Sequence, residues 1–450
     1  MIRRILIANR GEIAVRIIRA CREMGITSIA VYSEADKNSL HAMLADECIC
    51  IGPPEPSKSY LNIPSIIAAA EITDAQAIHP GYGFLSENAK FATICRECNI
   101  TFIGPSASAI SNSGDKSACR EAVKRAGVPT VPGSEGLIRS SAEAAEIARK
   151  IGYPLLVKAS AGGGGKGMRI AHNEAALKHA VTMASNEAES AFGDPGVYLE
   201  KFLEKARHVE VQILADEHGR IVTLGERECS IQRRHQKLIE ETPSPALTNS
   251  QRSKMLRAAV RAAKAIKYTN AGTAEFLLGP DGQFYFIEFN ARIQVEHPVT
   301  EEVTGIDLVR EQIRVASGEP LGYSAVKNQG HSIEARVYAE NPEMNFMPSP
   351  GIIRRCHIPG GPGIRVDTHL FSGYEVPRYY DSLMAKVIAR GKDREEAIQR
   401  LSGALDEFIT EGVENTARLC ARIVRGDRFR RGDLGPDLLE EYLPMNTKTA

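Results

Sequence analysis

The sequence predicts a multidomain α/β chain, and three stretches carry that expectation. Residues 1 to about 113 alternate short apolar strands with helical segments, the pattern of a parallel sheet covered by helices. A glycine run, Gly162-Gly-Gly-Gly165 followed by Lys166 and Gly167, lies between two apolar strand-like segments. From about residue 206 the pattern changes to antiparallel hairpins.

Each element has a local reason. Ile5–Ala8 is a short apolar strand, and Glu12 to Met24 reads as a helix with Ile13, Ile17 and Cys21 on one stripe. Ser28–Tyr32, Ala77–His79 and Thr101–Ile103 are three more strands. The turn after the first strand, Asn9-Arg10-Gly11-Glu12, lacks the Gly-x-Gly-x-x-Gly pattern, which excludes a dinucleotide site there. Residues 114 to about 205 place the glycine run between helical stretches at Ala142–Ile151 and Glu174–Ala184. They form a small α+β lid hinged on Tyr198–Leu203. Val209–Leu214 and Ile221–Leu224 flank a turn at Asp216–Gly219 and predict a hairpin. Residues 331–450 read as short strands followed by helices. Asp393 and Glu396 have capping-box spacing, and Ala397, Leu401, Leu405 and Phe408 follow at helical intervals.

Composition excludes several classes. The 450 residues carry 56 basic and 56 acidic side chains, a balance that argues against a general nucleic-acid or anionic-membrane binder. No apolar run approaches a membrane span, and the chain opens directly into a strand, so no signal peptide is expected. Nine scattered cysteines, with Cys95 and Cys98 as a lone pair on a helix, fit structural thiols in a reducing cytoplasm.

The chemistry is concentrated near residue 290. Glu288, Asn290, Arg292, Gln294 and Glu296 recur at every second position. In an extended chain that period puts all five on one face. Two acids, two amides and a guanidinium in register suit a metal and anion site better than an ordinary wet sheet face. Upstream, Gly272–Gln283 reads as a strand and a Pro280-Asp-Gly282 turn, which brings Glu275 opposite Glu288. Hard carboxylate oxygens from two strands suit Mg²⁺ held together with phosphates. His297 has no second His or Cys at ligand spacing, so zinc is not expected.

A phosphate cradle lies where such a site needs one. Glycine lets backbone N–H groups approach phosphate oxygens, and Lys158 and Lys166 bracket the run with positive charge. Lys158 sits in the apolar run Leu155-Leu156-Val157 and needs a counter-charge that a phosphate supplies. Lys166 is followed by Gly167 and not by Ser or Thr, so this is not a P-loop.

Together these features resemble the ATP-grasp fold, and the chain resembles the biotin carboxylase family from near Met1 to about residue 445. The stretches that carry the likeness are Ile5–Arg16, His79–Asn88, the glycine run, Ser230–Lys237 and Asn290–Thr300. The resemblance implies an N-terminal Rossmann-like parallel sheet domain at 1–113, an ATP-grasp domain at 114–330 with a mobile lid at about 131–203, and a mixed α+β C-terminal domain at 331–450. It implies that Lys116, Lys158, Gly164 and Gly165 contact ATP phosphates. Glu200, Lys201, Phe202 and Leu203 would hold the adenine, and His208, His235 and Leu277 would contact the nucleotide.

By the same resemblance Glu275 and Glu288, with Asn290 nearby, hold two Mg²⁺ or Mn²⁺ ions. Lys237, Arg292, Gln294 and Val295 form a bicarbonate pocket. Glu296 is the general base, expected to titrate nearer neutral pH than a free glutamate; the plainer alternative for it is a salt bridge to Arg292, and both can hold at once. Arg336 stabilises the biotin enolate, and Tyr82 lines the biotin pocket. The family activity is ATP- and bicarbonate-dependent carboxylation of biotin. A carboxylate–amine ligase would share the glycines and metal acids, but is not expected to carry Tyr82, Lys237, Arg292 and Arg336 together.

No biotinylation sequence or carboxyltransferase domain is visible, so the expected partners are a separate biotin carboxyl carrier protein and a separate carboxyltransferase. A homodimer is expected from Arg16, Arg19 and Glu23, although Pro362 interrupts the stretch that would face them. Ala161 stands where many relatives carry another glycine.

Overall fold

The computed structural model describes residues 2–138, 140–160 and 168–443. The first hundred residues form a five-stranded parallel sheet. Its strands are β1 (Arg4–Ile7), β2 (Thr27–Tyr32), β3 (Glu47–Cys50), β4 (Ala77–His79) and β5 (Thr101–Phe102), in spatial order β3-β2-β1-β4-β5. Strand β3 was not apparent in the sequence. It is an edge strand whose Glu-Cys-Ile-Cys run is largely exposed, so it lacks the apolar signal of a buried strand. The first helix runs Gly11–Glu23, and the stripe Ile13, Ile17 and Cys21 is fully buried against this sheet and the region beyond it.

The lid is a three-stranded antiparallel sheet in order β7-β6-β8, with β6 at Leu155–Ala159, β7 at Met168–Ala171 and β8 at Val197–Lys201. Helices Ser141–Ile151 and Glu174–Phe192 cover it. The second continues two turns past the Ala184 expected from sequence. Leu177, Ala180, Ala184 and Ala188 prolong its buried stripe, and Gly193 then ends it in the left-handed conformation at φ 71°.

The centre is an eight-stranded sheet. In spatial order it holds β13 (Phe284–Asn290), β12 (Asn270–Leu278), β9 (Arg207–Ala215), β10 (Ile221–Arg233), β11 (Gln236–Thr242), β14 (His331–Tyr338), then Leu383–Gly391 and Ile364–Thr368. The last three strands belong to the C-terminal third of the sequence, which extends the central sheet across the β11–β14 pairing. Helices Arg394–Glu407 and Ala417–Arg425 close its far face, with Leu401 and Leu405 of the first clustered with Ile333, Val337 and Val387 of the sheet. Each fully buried leucine or phenylalanine there is worth about 2–3 kcal/mol. Asp393 caps the first of these helices through the Glu396 amide at 2.9 Å. Glu396 turns to the Lys392 amide at 2.6 Å and not to that of Asp393, so only half of the expected capping box forms.

Among the described residues no helix is long and apolar enough to cross a membrane. All nine cysteines are unpaired.

Candidate active site

The hairpin β12–β13 sets the first two acids. Its Pro280–Gly282 turn fixes the register, and Glu275 pairs directly with Glu288. Leu277 lies two residues from Glu275 on the same face, half-buried, opposite His208. Asn290 follows Glu288 at the next position on that face and donates from Nδ2 to Glu275 Oε1 at 2.8 Å.

The two-residue period continues beyond Asn290, but the strand does not. Arg292 and Gln294 lie in an irregular segment, and Glu296 stands at the head of helix His297–Thr304. The five polar side chains converge by folding back, and strand geometry accounts only for Glu288 and Asn290. Arg292 Nη1 donates to Gln294 Oε1 at 2.9 Å, and Gln294 Nε2 reaches Glu275 Oε1 at 3.3 Å.

The centre of the site is a buried ion cluster. Lys237 Nζ, on β11, lies 2.5 Å from Glu210 Oε2, 2.6 Å from Glu296 Oε1 and 3.3 Å from Glu275 Oε1. Arg336 Nη2, on β14, lies 2.8 Å from Glu296 Oε2 and also pairs with Glu240. Arg227 is fully buried behind the cluster and donates to Glu210 Oε1 at 2.6 Å. The salt bridge offered as the alternative reading of Glu296, to Arg292, is not formed. Arg292 bonds instead to Glu87 Oε2 at 2.9 Å, and the other oxygen of Glu87 takes the Ala291 amide at 3.0 Å.

The expected upward shift of Glu296 is also reversed. Burial favours its neutral form, but Lys237, Arg336 and Arg227 outweigh burial and hold it well below the usual carboxylate range. Glu296 is therefore ionised, in contact with Lys237 and Arg336 and with Arg227 behind them. Burial opposes ionisation of Glu275 too, and Lys237 and His208 overcome it and push that carboxyl down. His208 Nε2 sits 3.1 Å from Glu275 Oε2, and this contact raises its basicity against the effect of burial.

The nucleotide end is built differently. Lys116 pairs with Glu288 at 3.0 Å, and Lys158 with Glu200 at 2.5 Å. The counter-charge expected from a phosphate is supplied here by Glu200. Lys201 Nζ donates to the Tyr153 carbonyl at 2.6 Å, and the Phe202 amide to the Pro154 carbonyl at 3.0 Å, so both tie the hinge to the lid strand. Leu203 follows in the same turn, and its carbonyl accepts from the Ala206 amide at 3.4 Å. His235 sits at the tip of the β10–β11 hairpin with φ 67°, and burial and nearby Lys158 lower its pKa. Gly164 and Gly165, with Ala161, Lys166 and Gly167, lie outside the described residues.

Tyr82 hydrogen-bonds to Glu12, which pairs with the fully buried Lys386 at 3.1 Å. Lys386 also donates to the Val295 carbonyl at 3.0 Å and so braces the Arg292–Glu296 segment. Arg16, expected on a dimer face, is occupied within the chain by Glu301 at 3.0 Å and Asp307 at 2.6 Å.

Glu87, Glu210, Arg227, Glu240 and Lys386 were not singled out from sequence. Lys386 carried a usable signal, since it interrupts the apolar run Met384-Ala-Lys-Val-Ile388 as Lys158 interrupts its own. His208, Glu210 and Glu275 come close enough to share a cation, as do Glu210, Cys229 and Glu296, and neither grouping follows ligand spacing in the sequence. The Lys237 ammonium stands among these acids. Glu275 and Glu288 present facing carboxylates with an amide beside them, a hard-oxygen set that fits Mg²⁺.

Residues 1–110 match the model of the biotin carboxylase N-terminal domain, 115–324 that of the carbamoyl-phosphate synthase L chain ATP-binding domain, and 334–441 that of the biotin carboxylase C-terminal domain. Biotin carboxylase 1 of Bacillus subtilis is 56% identical over 450 residues, covering 99% of this chain and all of that protein. A pyruvate carboxylase subunit of Methanothermobacter thermautotrophicus is 53% identical, over 98% of this chain and 90% of that one. The Hydrogenobacter thermophilus 2-oxoglutarate carboxylase biotin carboxylase domain superposes with a TM-score of 0.94 at 49% identity, covering 98% of each chain. That structure is a dimer in complex with MgADP, ADP and bicarbonate. The chain belongs to the biotin carboxylase family of ATP-grasp ligases, which carry out the ATP- and bicarbonate-dependent half-reaction of biotin-dependent carboxylases.

Proposed function

We propose that this chain carboxylates biotin borne on a separate carrier protein, through carboxyphosphate, with the residues above in defined roles. The observation that carries the reading is the convergence of Lys237 and Arg336 on one ionised, buried carboxylate, Glu296.

Bicarbonate is a planar anion that a guanidinium binds through paired hydrogen bonds. Arg292, held by Glu87 and Gln294, is oriented for that task, with Lys237, Gln294 and the Val295 amide completing the pocket. Glu296 takes the bicarbonate proton as the bicarbonate oxygen attacks the γ-phosphorus of ATP. Its depressed pKa belongs to the substrate-free cluster. An arriving anion competes for Lys237, and loss of that partner raises the basicity of Glu296 when a base is needed.

ATP displaces Glu288 and Glu200 as partners of Lys116 and Lys158, and the glycines at 164 and 165 close over its phosphates. Glu200 to Leu203 and His208, His235 and Leu277 hold the nucleotide. Glu275, Glu288 and Asn290 hold Mg²⁺ or Mn²⁺, two ions by family analogy, and bound metal supplies neutralisation of phosphate charge.

Carboxyphosphate decomposes to CO₂ and phosphate, the phosphate removes the ureido proton of biotin, and the enolate attacks CO₂. Arg336 faces the enolate oxygen, and Tyr82 walls the pocket. Lid closure keeps water from the labile intermediate. The chain works as a homodimer with a biotin carboxyl carrier protein and a carboxyltransferase in a reducing compartment such as the cytoplasm. The carboxyltransferase selects the acceptor.

The test is ATP hydrolysis by the purified chain with Mg²⁺, with and without bicarbonate and free biotin. Hydrolysis that requires bicarbonate and rises with biotin is expected. Hydrolysis indifferent to both would mean that another acid is the substrate.

A further inference from the structure

The sheet face behind Arg336 holds two carboxyls that the reaction above does not use. Glu240 on β11 and Glu334 on β14 are cross-strand partners in register. Directly opposed residues have Cβ atoms about 5 Å apart. Both side chains are completely buried. Arg336 Nη2 pairs with Glu240, and the same nitrogen holds Glu296 at 2.8 Å. Among the described residues neither oxygen of Glu334, nor Oε2 of Glu240, meets a hydrogen-bond donor. Two buried carboxyls this close, with one cation shared with a third acid, do not both ionise.

We propose that Glu240 and Glu334 are positioning residues that hold one proton between them, and that the single remaining charge, on Glu240, sets the Arg336 guanidinium between Glu240 and Glu296. This rests on the reading of Arg336 as the group that faces the enolate.

The surroundings assign the proton. On Glu240 the effect of burial is partly offset by Arg336, and the carboxyl is pushed up to about 7. On Glu334 burial acts with less relief, and the carboxyl lies well above the usual range. The cation that acts most on Glu334 is Lys386 on the adjacent strand, ahead of Arg336, and Lys386 is committed to Glu12 and the Val295 carbonyl. Lys237 from β11 and Glu296 also face the pair, Lys237 acting on Glu240 and Glu296 on both. Tyr338 on β14 and Cys420 on helix Ala417–Arg425 lie near Glu240, both held neutral by burial. His297, on the helix covering this face, is held neutral by burial and by Lys386. Glu334 therefore carries the proton and Glu240 the charge.

The arrangement has a consequence for Arg336. One charge on Glu240 balances the pull of Glu296, so the guanidinium is shared and remains available to a developing enolate. A second charge, on Glu334, draws Arg336 back into the sheet. Removal of the charge on Glu240 lets Arg336 collapse onto Glu296 and weakens that base.

The test compares the natural chain with Glu334→Gln, Glu240→Gln and Arg336→Ala, using free biotin and bicarbonate from about pH 6 to about pH 10. In the natural chain the biotin-dependent rate should fall on the alkaline side as Glu334 ionises. Glu334→Gln, whose amide stands for the protonated carboxyl, should lose that fall, so its ratio of alkaline to neutral rate rises. Glu240→Gln should lower biotin-dependent kcat by about tenfold or more with a smaller change in KM for biotin. Superimposable pH profiles for the natural chain and Glu334→Gln, or equal losses from the two amide variants, overturn the proposal.

Thermal unfolding gives an independent arm. Glu334 has a folded pKa above its unfolded value, so its contribution to stability is present below the unfolded pKa of about 4.3 and lost as pH rises through the folded value. The Tm of Glu334→Gln should gain on that of the natural chain as pH rises, and a constant difference counts against the shared proton. Failure of the underlying reading is distinct. It appears as full biotin-dependent activity in Arg336→Ala, whatever the amide variants do.

Discussion

The two ends of the active site are charged alike and built differently. At the bicarbonate end Lys237, Glu210, Glu296 and Arg336 sit within or against the eight-stranded sheet, and Glu210 and Glu296 are wholly buried. At the nucleotide end the Lys116–Glu288 pair is about a third exposed on both sides, and Lys158–Glu200 belongs to the small lid sheet. The buried cluster is organised in advance of substrate by its own opposed charges. The nucleotide end parks its lysines on acids that a phosphate can replace. Precision is thus invested where a proton and a CO₂ must be aimed, and exchangeable contacts where a large polyanion must enter and leave.

The strongest way to break this contrast is to remove one cation from each end. Lys237→Met leaves Glu210, Glu275 and Glu296 without their shared partner, and loss of about 3–5 kcal/mol of stability is expected. Bicarbonate-dependent hydrolysis should be abolished as well. Lys158→Met removes a single pair and should change the denaturation midpoint far less, while raising KM for ATP. Equal destabilisation by the two changes, measured by chemical denaturation, would erase the distinction.

Within the buried cluster the roles of Glu296 and Arg336 can be separated kinetically. Glu296→Ala should lower bicarbonate-dependent hydrolysis and biotin carboxylation together, by about a thousandfold, or about 4 kcal/mol in the barrier. Arg336→Ala should spare part of the hydrolysis and remove most of the carboxylation, because Arg336 acts after carboxyphosphate has formed. Parallel loss of both activities in Arg336→Ala would move that residue to the first step.

How far the sequence showed this contrast depends on sequence separation. The Glu275–Glu288 pairing was legible because a Pro-Asp-Gly turn and a two-residue period together set the register. The strands that flank the glycine run, β6 and β7, were legible because they are apolar and adjacent in sequence. The buried cluster was only half legible. Glu87 reaches Arg292 across 205 residues, and nothing local to either announces it. The β11–β14 pairing brings Glu240 to Glu334 and Lys237 near Arg336 through a sheet that sequence reading had divided at residue 330. The direction of the Glu296 shift failed for the same reason, since its cause is three cations, Lys237, Arg336 and Arg227, on strands distant in sequence.

Acid titration offers a smaller, distributed effect. Burial holds His79 and His369 neutral with pKa about 3, and Lys386 adds to burial in keeping His297 at about 3. His41 lies at about 4. In the unfolded chain all four titrate near 6.5, so below that pH the unfolded state binds more protons and stability falls. Each histidine contributes about 1.4 kcal/mol per pH unit until its folded pKa is reached. The carboxylates add to this only later, because Asp36 and Glu301, both near 2, lose their contribution as pH falls from about 4 toward 2. Between pH 7 and 5 the histidines act against Glu334 and Glu240, whose raised carboxyls add stability as pH falls, so the readout is a difference: the Tm of His297→Gln should gain on that of the natural chain as pH falls. A constant difference over that window would mean that the His297 ring takes up its proton as readily in the folded chain as in the unfolded one.

The smallest expected effect on stability sharpens the comparison most. Lys116 and Glu288 are about a third exposed, so water and salt screen their attraction, and such pairs contribute about 0–1 kcal/mol. Lys116→Ala should leave the unfolding midpoint nearly unchanged and raise KM for ATP. Glu288 would also lose the cation that holds it while no nucleotide is bound, so the Mg²⁺ dependence should shift to lower concentration even as ATP binds more weakly. A lysine present to support the fold would give the reverse, a lowered midpoint with nucleotide affinity preserved. Divergence of the two substrates' concentration dependences in one variant is the signature of a cation that competes with metal before binding and cooperates with it afterward.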